Sequence, residues 1–403
     1  MEKRQRQRIG LPLPFAFQED EMYHFELGRS GQQAEILAFI ERAFATAGAT
    51  PGFERLLPKL YGSGRESESH HILLYADTTL EGVCAVQVQT FIVAGQPLQV
   101  GWVGSVAVAP EARGKGHLER LVTQANRMME QTGCDLAVLG GQRQRYRRFG
   151  YEYGGSQLEC TLTSRNLNGA KPGSVQLRPL ESDERWRLQA YEVWQRRPVR
   201  AARTQQNFFE VLCSWGAQPC AVLYKDKFAG YCTLEILPDR AVLRELYLDE
   251  AVPWDVFGAQ VLEFAEREAF TAVLPPWAGR LQSQLAVEAE KAQLVENHSY
   301  RVLRWSQVLA AALALRAETS VTPNIPGSFC FTVDNGPPLR LWAEEGGPLR
   351  CGSALSGETP FSLSGEAAVR LLLGPLSALE PGAKSAPPGW LPLPLVFSWQ
   401  DGI

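Results

Sequence analysis

Between Val106 and Leu118 the chain reads Val106-Ala107-Val108-Ala109-Pro110-Glu111-Ala112-Arg113-Gly114-Lys115-Gly116-His117-Leu118, residue types whose spacing suits the holding of a diphosphate. Val-x-Val favours a pleated strand, Pro110 ends it, and from Leu118 the apolar residues Leu121, Val122, Ala125 and Met129 recur at helical spacing. Gly114 and Gly116 therefore stand at a helix N-terminus. Glycine there lets phosphate oxygens approach free N–H groups, and Arg113 and Lys115 add positive charge. The plainer reading is a charged, glycine-rich surface turn. A Walker loop is excluded because no Gly-Lys-Ser/Thr follows, and Gly-x-Gly-x-x-Gly is absent. Downstream, Arg145-Tyr146-Arg147-Arg148-Phe149-Gly150-Tyr151 supplies a phenol at Tyr146. With an ordinary pKa of about 10 it stays protonated at neutral pH and can donate to a leaving group. The plainer reading packs it in the core beside Phe149 and Tyr151.

The elements that position these residues follow from periodicity. Helical spacing over 33–44, strands over 72–75, 83–90 and 98–108, a helix over 117–132 and a strand over 135–140 make an α/β unit with a mixed central sheet. A weaker copy follows. Phe228-Ala229-Gly230-Tyr231-Cys232-Thr233-Leu234-Glu235-Ile236 echoes Leu80-Glu81-Gly82-Val83-Cys84-Ala85-Val86-Gln87-Val88, and each leads to a strand, here 241–248, and an amphipathic helix, here 256–268. Between these stands Asp249-Glu250-Ala251-Val252-Pro253-Trp254-Asp255, acidic and without glycine, which repels a diphosphate. The last portion predicts a helix over 301–317, strands over 328–333, 339–342 and 361–363, and a helix over 366–373, an α+β pattern. The tail Leu391-Pro392-Leu393-Pro394-Leu395-Val396-Phe397-Ser398-Trp399 is too apolar to hang in water. It predicts a buried last strand with 400–403 projecting from it, against the general rule that termini fray.

The whole chain sets bounds. Its 403 residues, 45% of them hydrophobic, are enough for two or three domains. A net charge of −4 argues against nucleic acid as a partner and is compatible with cationic substrates. The eight cysteines show no Cys-x-x-Cys pair and no zinc-like spacing with histidine, and read as reduced thiols. His70-His71 places adjacent side chains on opposite faces of a strand and so predicts loop or edge histidines rather than a metal site. No signal peptide or bilayer-spanning run is legible, so a soluble cytoplasmic protein with no membrane partner is expected.

Arg113-x-x-Gly116 directly after Val-x-Val-x-Pro resembles the pyrophosphate loop of the Gcn5-related N-acetyltransferases (GNAT). Arg145 to Tyr151 resembles the Tyr-x-Arg-Phe-Gly-Tyr segment of a narrower group, the Eis (enhanced intracellular survival) acetyltransferases. Many GNAT members carry Gly or Ala where this chain has Leu118, a position at which the Eis group tolerates Leu. The resemblance implies tandem GNAT-fold α/β domains followed by a sterol-carrier-like α+β domain. The corresponding divisions are a flexible segment 1–19, a catalytic domain 20–164, a degenerate second copy 165–290 and a last domain 291–403. It implies acetyl-CoA as cosubstrate and no metal. The Val106-Ala107-Val108 backbone would meet the pantetheine arm, Arg113, Gly114, Lys115, Gly116, His117 and Leu118 the diphosphate, and Gly141 and Gln142 the cofactor from the next strand.

Tyr146 takes the role of general acid in that comparison. The strand Gly101-Trp102-Val103-Gly104-Ser105-Val106-Ala107-Val108 holds no carboxylate or histidine to serve as base. In Eis proteins the base is the chain's own terminal carboxylate, here that of Ile403. Full proton transfer from an amine to an ordinary α-carboxylate costs about 6 kcal/mol, a cost reduced by transfer through water, by transfer from the more acidic ammonium formed after attack, or by a carboxylate pKa raised by burial. The resemblance further implies a polycationic, aminoglycoside-like amine as substrate and a homohexamer. Glu21, Glu26 and Glu66 are candidates for an anionic acceptor pocket, none singled out by spacing. The rival class is a lipid or hydrophobic-ligand carrier built on an acetyltransferase scaffold.

Overall fold

Apolar runs of period two, broken by glycine and proline, become strands that join into a single large sheet. The computed structural model describes residues 22–45, 51–320 and 324–403; the expected segment 1–19 and Glu21 lie outside them. In chain order the first unit contains β1 (Tyr23–Leu27), α1 (Gln33–Phe44), the single turns α2 (Phe53–Leu56) and α3 (Pro58–Tyr61), β2 (His71–Ala76), β3 (Thr79–Val93) and β4 (Gln96–Val108). It continues with α4 (His117–Gln131), β5 (Leu136–Leu139), α5 (Arg143–Tyr146) and β6 (Glu152–Thr163). The second contains β7 (Val175–Pro179), α6 (Glu184–Trp194), β8 (Val199–Ala201), α7 (Gln205–Leu212), β9 (Gln218–Tyr224), β10 (Lys227–Ile236) and β11 (Ala241–Leu248), then α8 (Trp254–Ala265), β12 (Ala269–Leu274), α9 (Gly279–Glu288) and β13 (Lys291–Val302). The last contains α10 (Trp305–Thr319), β14 (Gly327–Val333), β15 (Leu339–Ala343), β16 (Arg350–Ser353), β17 (Phe361–Leu363) and α11 (Gly365–Leu373).

The large sheet has 13 strands in the order β1-β2-β3-β4-β5-β13-β6-β12-β11-β10-β9-β7, with β8 on β3. The two units therefore exchange their final strands. β13 lies between β5 and β6, and β6 pairs with β12 of the other unit. Residues 291–302, which a boundary at 290 assigns to the last domain, belong to the middle of this sheet. The helix expected over 301–317 begins at Trp305, because Arg301 and Val302 complete β13 by pairing with Ala137 and Leu136. The small sheet runs β16-β15-β14-β17, and Phe329, Phe331 and Leu341 from it share a buried core with α10, α11 and the first unit.

The apolar tail is buried as expected but is not a strand. Pro392 and Pro394 lack the N–H groups a ladder needs, and residues 391–398 run without sheet pairing. Asn297 serves in place of a partner strand: Phe397 N–H donates to its Oδ1 at 2.8 Å, and its Nδ2 donates to the Phe397 carbonyl at 3.0 Å. Residues 400–403 do not project into water. All four are buried, after a short turn over Trp399–Asp401.

Candidate active site

The sheet opens where β4 outruns β5. The parallel pairing extends only from Val100 opposite Leu136 to Val103 opposite Leu139, so residues 104–108, of which Gly104, Ala107 and Val108 keep β3 partners, present an unpaired backbone edge on the other side. A bulge at Ser105, with φ of 47°, turns the strand there. Val106 and Val108 thus lie on the open side of β4.

Beyond that edge Gly114 and Gly116 adopt φ of 84° and 82°, a left-handed conformation that favours glycine. A Cβ at either would meet nothing within 4 Å, and no side chain caps the α4 N-terminus. The turn fronts open space with its amides available to an anion. The neighbouring side chains are more committed than the sequence suggests. Arg113 Nη2 donates to the Ala43 carbonyl at 2.9 Å, and Lys115 Nζ to Glu81 Oε1 at 2.9 Å. The His117 imidazole is buried with Nε2 2.5 Å from Glu81 Oε2, so only its backbone remains for a phosphate. Leu118 is half-buried and packs against the core around Leu121 and Val122.

In the second unit the equivalent turn is filled by its own carboxylates. Asp255 Oδ1 accepts from Val256 N–H at the start of α8, and Asp249 Oδ1 from Ala251 N–H, both at 2.9 Å. The acidic run supplies the negative charge a diphosphate would bring.

A cavity of about 380 Å³ occupies the splay between β4 and β5. Gly141, Gln142 and Tyr146 line it from one side, Trp102 and Val106 from another, and Ile403 closes it. Gly141 has φ of 130°, and a Cβ there would stand 2.9 Å from Tyr146 Cε2, so the tyrosine ring depends on this glycine for its place. Burial pushes the Tyr146 phenol upward, which keeps it a proton donor at neutral pH.

Ile403 reaches the cavity from 262 positions beyond Gly141 because Gly104 has no side chain. A Cβ on Gly104 would lie 2.3 Å from the Ile403 carboxyl oxygen and 2.4 Å from its carbon. The rest of the tail is held along its length. Lys59 Nζ donates to the carbonyls of Gln400 and, at 2.7 Å, Gly402. Trp215 Nε1 donates to the Gly402 carbonyl at 3.3 Å. Asp401 accepts from Arg203 through Nε at 2.8 Å and Nη2 at 3.0 Å.

Arg203 also donates to both oxygens of Glu245, at 3.1 and 2.9 Å. Burial alone would raise the Glu245 carboxyl, yet the Arg203 and Arg197 charges and the Ser398 hydroxyl hold it at about 2, below the usual 4.5. A carboxyl depressed on folding contributes stability above its unfolded pKa that is lost as pH falls through the folded one. The thermal midpoint is expected to drop between pH 4.5 and 2, with a shallower slope in Glu245→Gln; an unchanged slope in calorimetric scans removes this carboxylate from the acid transition.

Several cavity residues carry no sequence signal. Trp102, Trp215 and Trp399, with Phe44, Phe53 and His298, form aromatic walls. Burial, with Arg244 and Lys59 nearby, pulls His298 down to about 3, so it is neutral and stacks on Trp399 with centroids 4.9 Å apart. The two sequence histidines divide: His70 is half-buried, while His71 is neither loop nor edge but fully buried. Its Nδ1 faces the Ser67 carbonyl at 2.9 Å, and its Nε2 accepts from Tyr61 Oη at 2.8 Å. Neither Glu26 nor Glu66 lines the cavity, and among the described residues no aspartate or glutamate side chain does. No group of metal-ligating side chains occurs among the described residues.

Residues 28–154 match the family profile described as an acetyltransferase (GNAT) domain. Over these residues the chain carries a GNAT acetyltransferase domain. The GNAT likeness extends past the matched residues in solved structures. A GCN5-related N-acetyltransferase from Kribbella flavida is 16% identical with a TM-score of 0.61, over 91% of this chain and 93% of its own. A probable N-acyltransferase from Enterococcus faecalis V583 is 14% identical with a TM-score of 0.60, over 87% and 89%. Eis1 from Mycobacterium abscessus is 16% identical with a TM-score of 0.54, over 87% and 89%. At these identities the likeness is one of fold. No curated protein matches the chain. No helix among the described residues is long and apolar enough to cross a membrane.

Proposed function

We propose that the protein transfers the acetyl group of acetyl-CoA to the amine of a small molecule, with Tyr146 as general acid and the Ile403 carboxylate as general base. The observation that carries this reading is the meeting of the terminal carboxylate, Tyr146 and the β4 edge in one cavity. Acetyl-CoA brings an activated thioester. The Val106 and Val108 backbone and the Gly114 to Leu118 turn hold its pantetheine and diphosphate, and Gly141 and Gln142 border the thioester end. The acceptor nitrogen bonds to the acetyl carbon and the carbon–sulfur bond breaks. The Ile403 carboxylate takes the nitrogen's proton, and the Tyr146 hydroxyl gives its proton to the departing sulfur. Enclosure by tryptophans strengthens each of these interactions by excluding water.

The lining also bears on the acceptor. With the Ile403 carboxylate set against the Arg145 guanidinium and with aromatic walls, the cavity suits an acceptor with one amine on an apolar or aromatic body, whose cation can rest on tryptophan faces. A polycation of aminoglycoside type would leave further charges unmatched inside, and its remaining amines would have to stay at the mouth. In this reading the last domain, sterol-carrier-like by resemblance, serves to deliver the terminus. The carrier alternative is disfavoured because the space between its sheet and helices is filled by Phe331, Leu341, Leu371 and Trp390. The hexamer implied by resemblance is to be read by sedimentation of the full chain.

Thiol release from acetyl-CoA is expected with a panel of monoamines, arylalkylamines and polyamines, fastest for acceptors with one amine and an apolar body. Absence of amine-dependent thiol release across the panel overturns the enzyme reading, and a strict preference for polycations overturns the acceptor assignment.

A further inference from the structure

In the second unit the strand before the acidic turn, β11, has one residue with a buried charge that the proposed reaction does not use. On β3, Ala85 pairs with Gly104; on β10, the matching residue Thr233 pairs with Glu245. Glu245 is thus the register equivalent of Gly104. A side chain at 104 would begin where the Ile403 carboxylate lies, so each unit has a carboxylate at this place, one from a side chain and one from the chain terminus. Glu245 borders only a small cavity of about 40 Å³, shared with Arg197, Arg244 and Asp401. It is 1% exposed and accepts from Arg203, Tyr231 and Ser398, with Arg197 Nη1 at 3.2 Å.

We propose that Glu245 and Arg203 are positioning residues that hold the Ile403 carboxylate in register with the cavity of the first unit, acting through Asp401. The inference rests on the reading of the terminus as base. Arg203 joins Glu245 to Asp401, bidentate on both sides, Ser398 of the tail also donates to Glu245, and Asp401 stands two residues before Ile403. The charged and titratable groups around this link are Lys59 from α3, Arg197 after α6, Tyr231 from β10 and Arg244 from β11, whose guanidinium lies 5.2 Å from the Trp399 ring centre. Lys59 and Trp215 bind backbone carbonyls only, so they set the path of the tail while Arg203 reads a side chain and sets its register. A degenerate copy retained in this way supplies the rigid wall that a free terminus lacks.

The test uses the full-length enzyme with Arg203→Met and the milder Asp401→Asn, each checked for a cooperative melt. At neutral pH, turnover on a basic alkylamine is expected to fall about 100-fold, the scale of a misplaced catalytic group, with the KM for acetyl-CoA unchanged. The deficit should shrink as pH rises toward the amine's own pKa, and should nearly vanish for a weakly basic acceptor such as a hydroxylamine, which needs no base. Equal losses for both acceptors at every pH, or wild-type turnover in folded Asp401→Asn, overturn the proposal. A parallel arm extends the chain beyond Ile403. An active extended protein sinks the terminal-base reading itself, whereas an inactive extension beside active Arg203→Met and Asp401→Asn sinks only the positioning role.

Discussion

Extending the chain past Ile403 by a short tag is expected to lower turnover by about 100-fold or more, the usual contribution of a general base, while acetyl-CoA still binds. An extension removes the carboxylate and forces an amide into a buried space where Ile403 is 5% exposed. The same outcome is expected from Gly104→Ala, which leaves the terminus chemically intact. Its methyl would stand 2.3 Å from the Ile403 oxygen, far inside contact distance, and the tail rather than the sheet must yield. β4 is fixed on its other side by pairing with β3 on both sides of the bulge, including Gly104 opposite Ala85, whereas the last two residues are held through the Gly402 carbonyl and N–H and their packing. Thiol release and calorimetric binding of acetyl-CoA measure the two halves of this result. Full turnover in either protein would falsify the assignment of the base.

Tyr146→Phe is expected to reduce kcat by about 100-fold, the lower range for general acids, with little change in the KM of either substrate. The substitution keeps the ring against Gly141 and removes only the hydroxyl, whose proton is held more tightly than in free tyrosine because the side chain is buried. Stability should change by well under the cost of a core cavity, since no methylene is lost. If kcat holds in a folded Tyr146→Phe enzyme, thiolate departure needs no acid and Tyr146 returns to a packing role.

How far each residue could be read depended on the range of the interactions that place it. The turn from Arg113 to Leu118 was legible because glycine conformation, strand end and helix start are decided within a few residues, and helix α1 was predicted over the residues it occupies. The lining tryptophans were not: Trp102, Trp215 and Trp399 come from three distant segments, and nothing local marks an aromatic residue as wall rather than core. The burial of the tail followed from its composition, yet its prolines and the Asn297 clamp, 100 residues away, decided that it would not be a strand. His117 shows the opposite limit. Its place in the motif suggested a phosphate ligand, and a carboxylate 36 residues earlier claimed its ring.

The sequence by itself determined which unit has a glycine-rich basic turn at a helix start and which has an acidic one, because glycine, charge and helix start are set within one short turn. Only the tertiary structure decided that Ile403 lies beside Gly104 in the cavity that Tyr146 lines. The pairing of β6 with β13 joins the units in one sheet, and the absence of a side chain at Gly104 leaves room for the Ile403 carboxylate. Buried charges on Arg203 and Glu245 fix the segment that carries it. Those contacts join residues nearly 200 or 300 positions apart, and desolvation makes them specific only once the fold has closed around them.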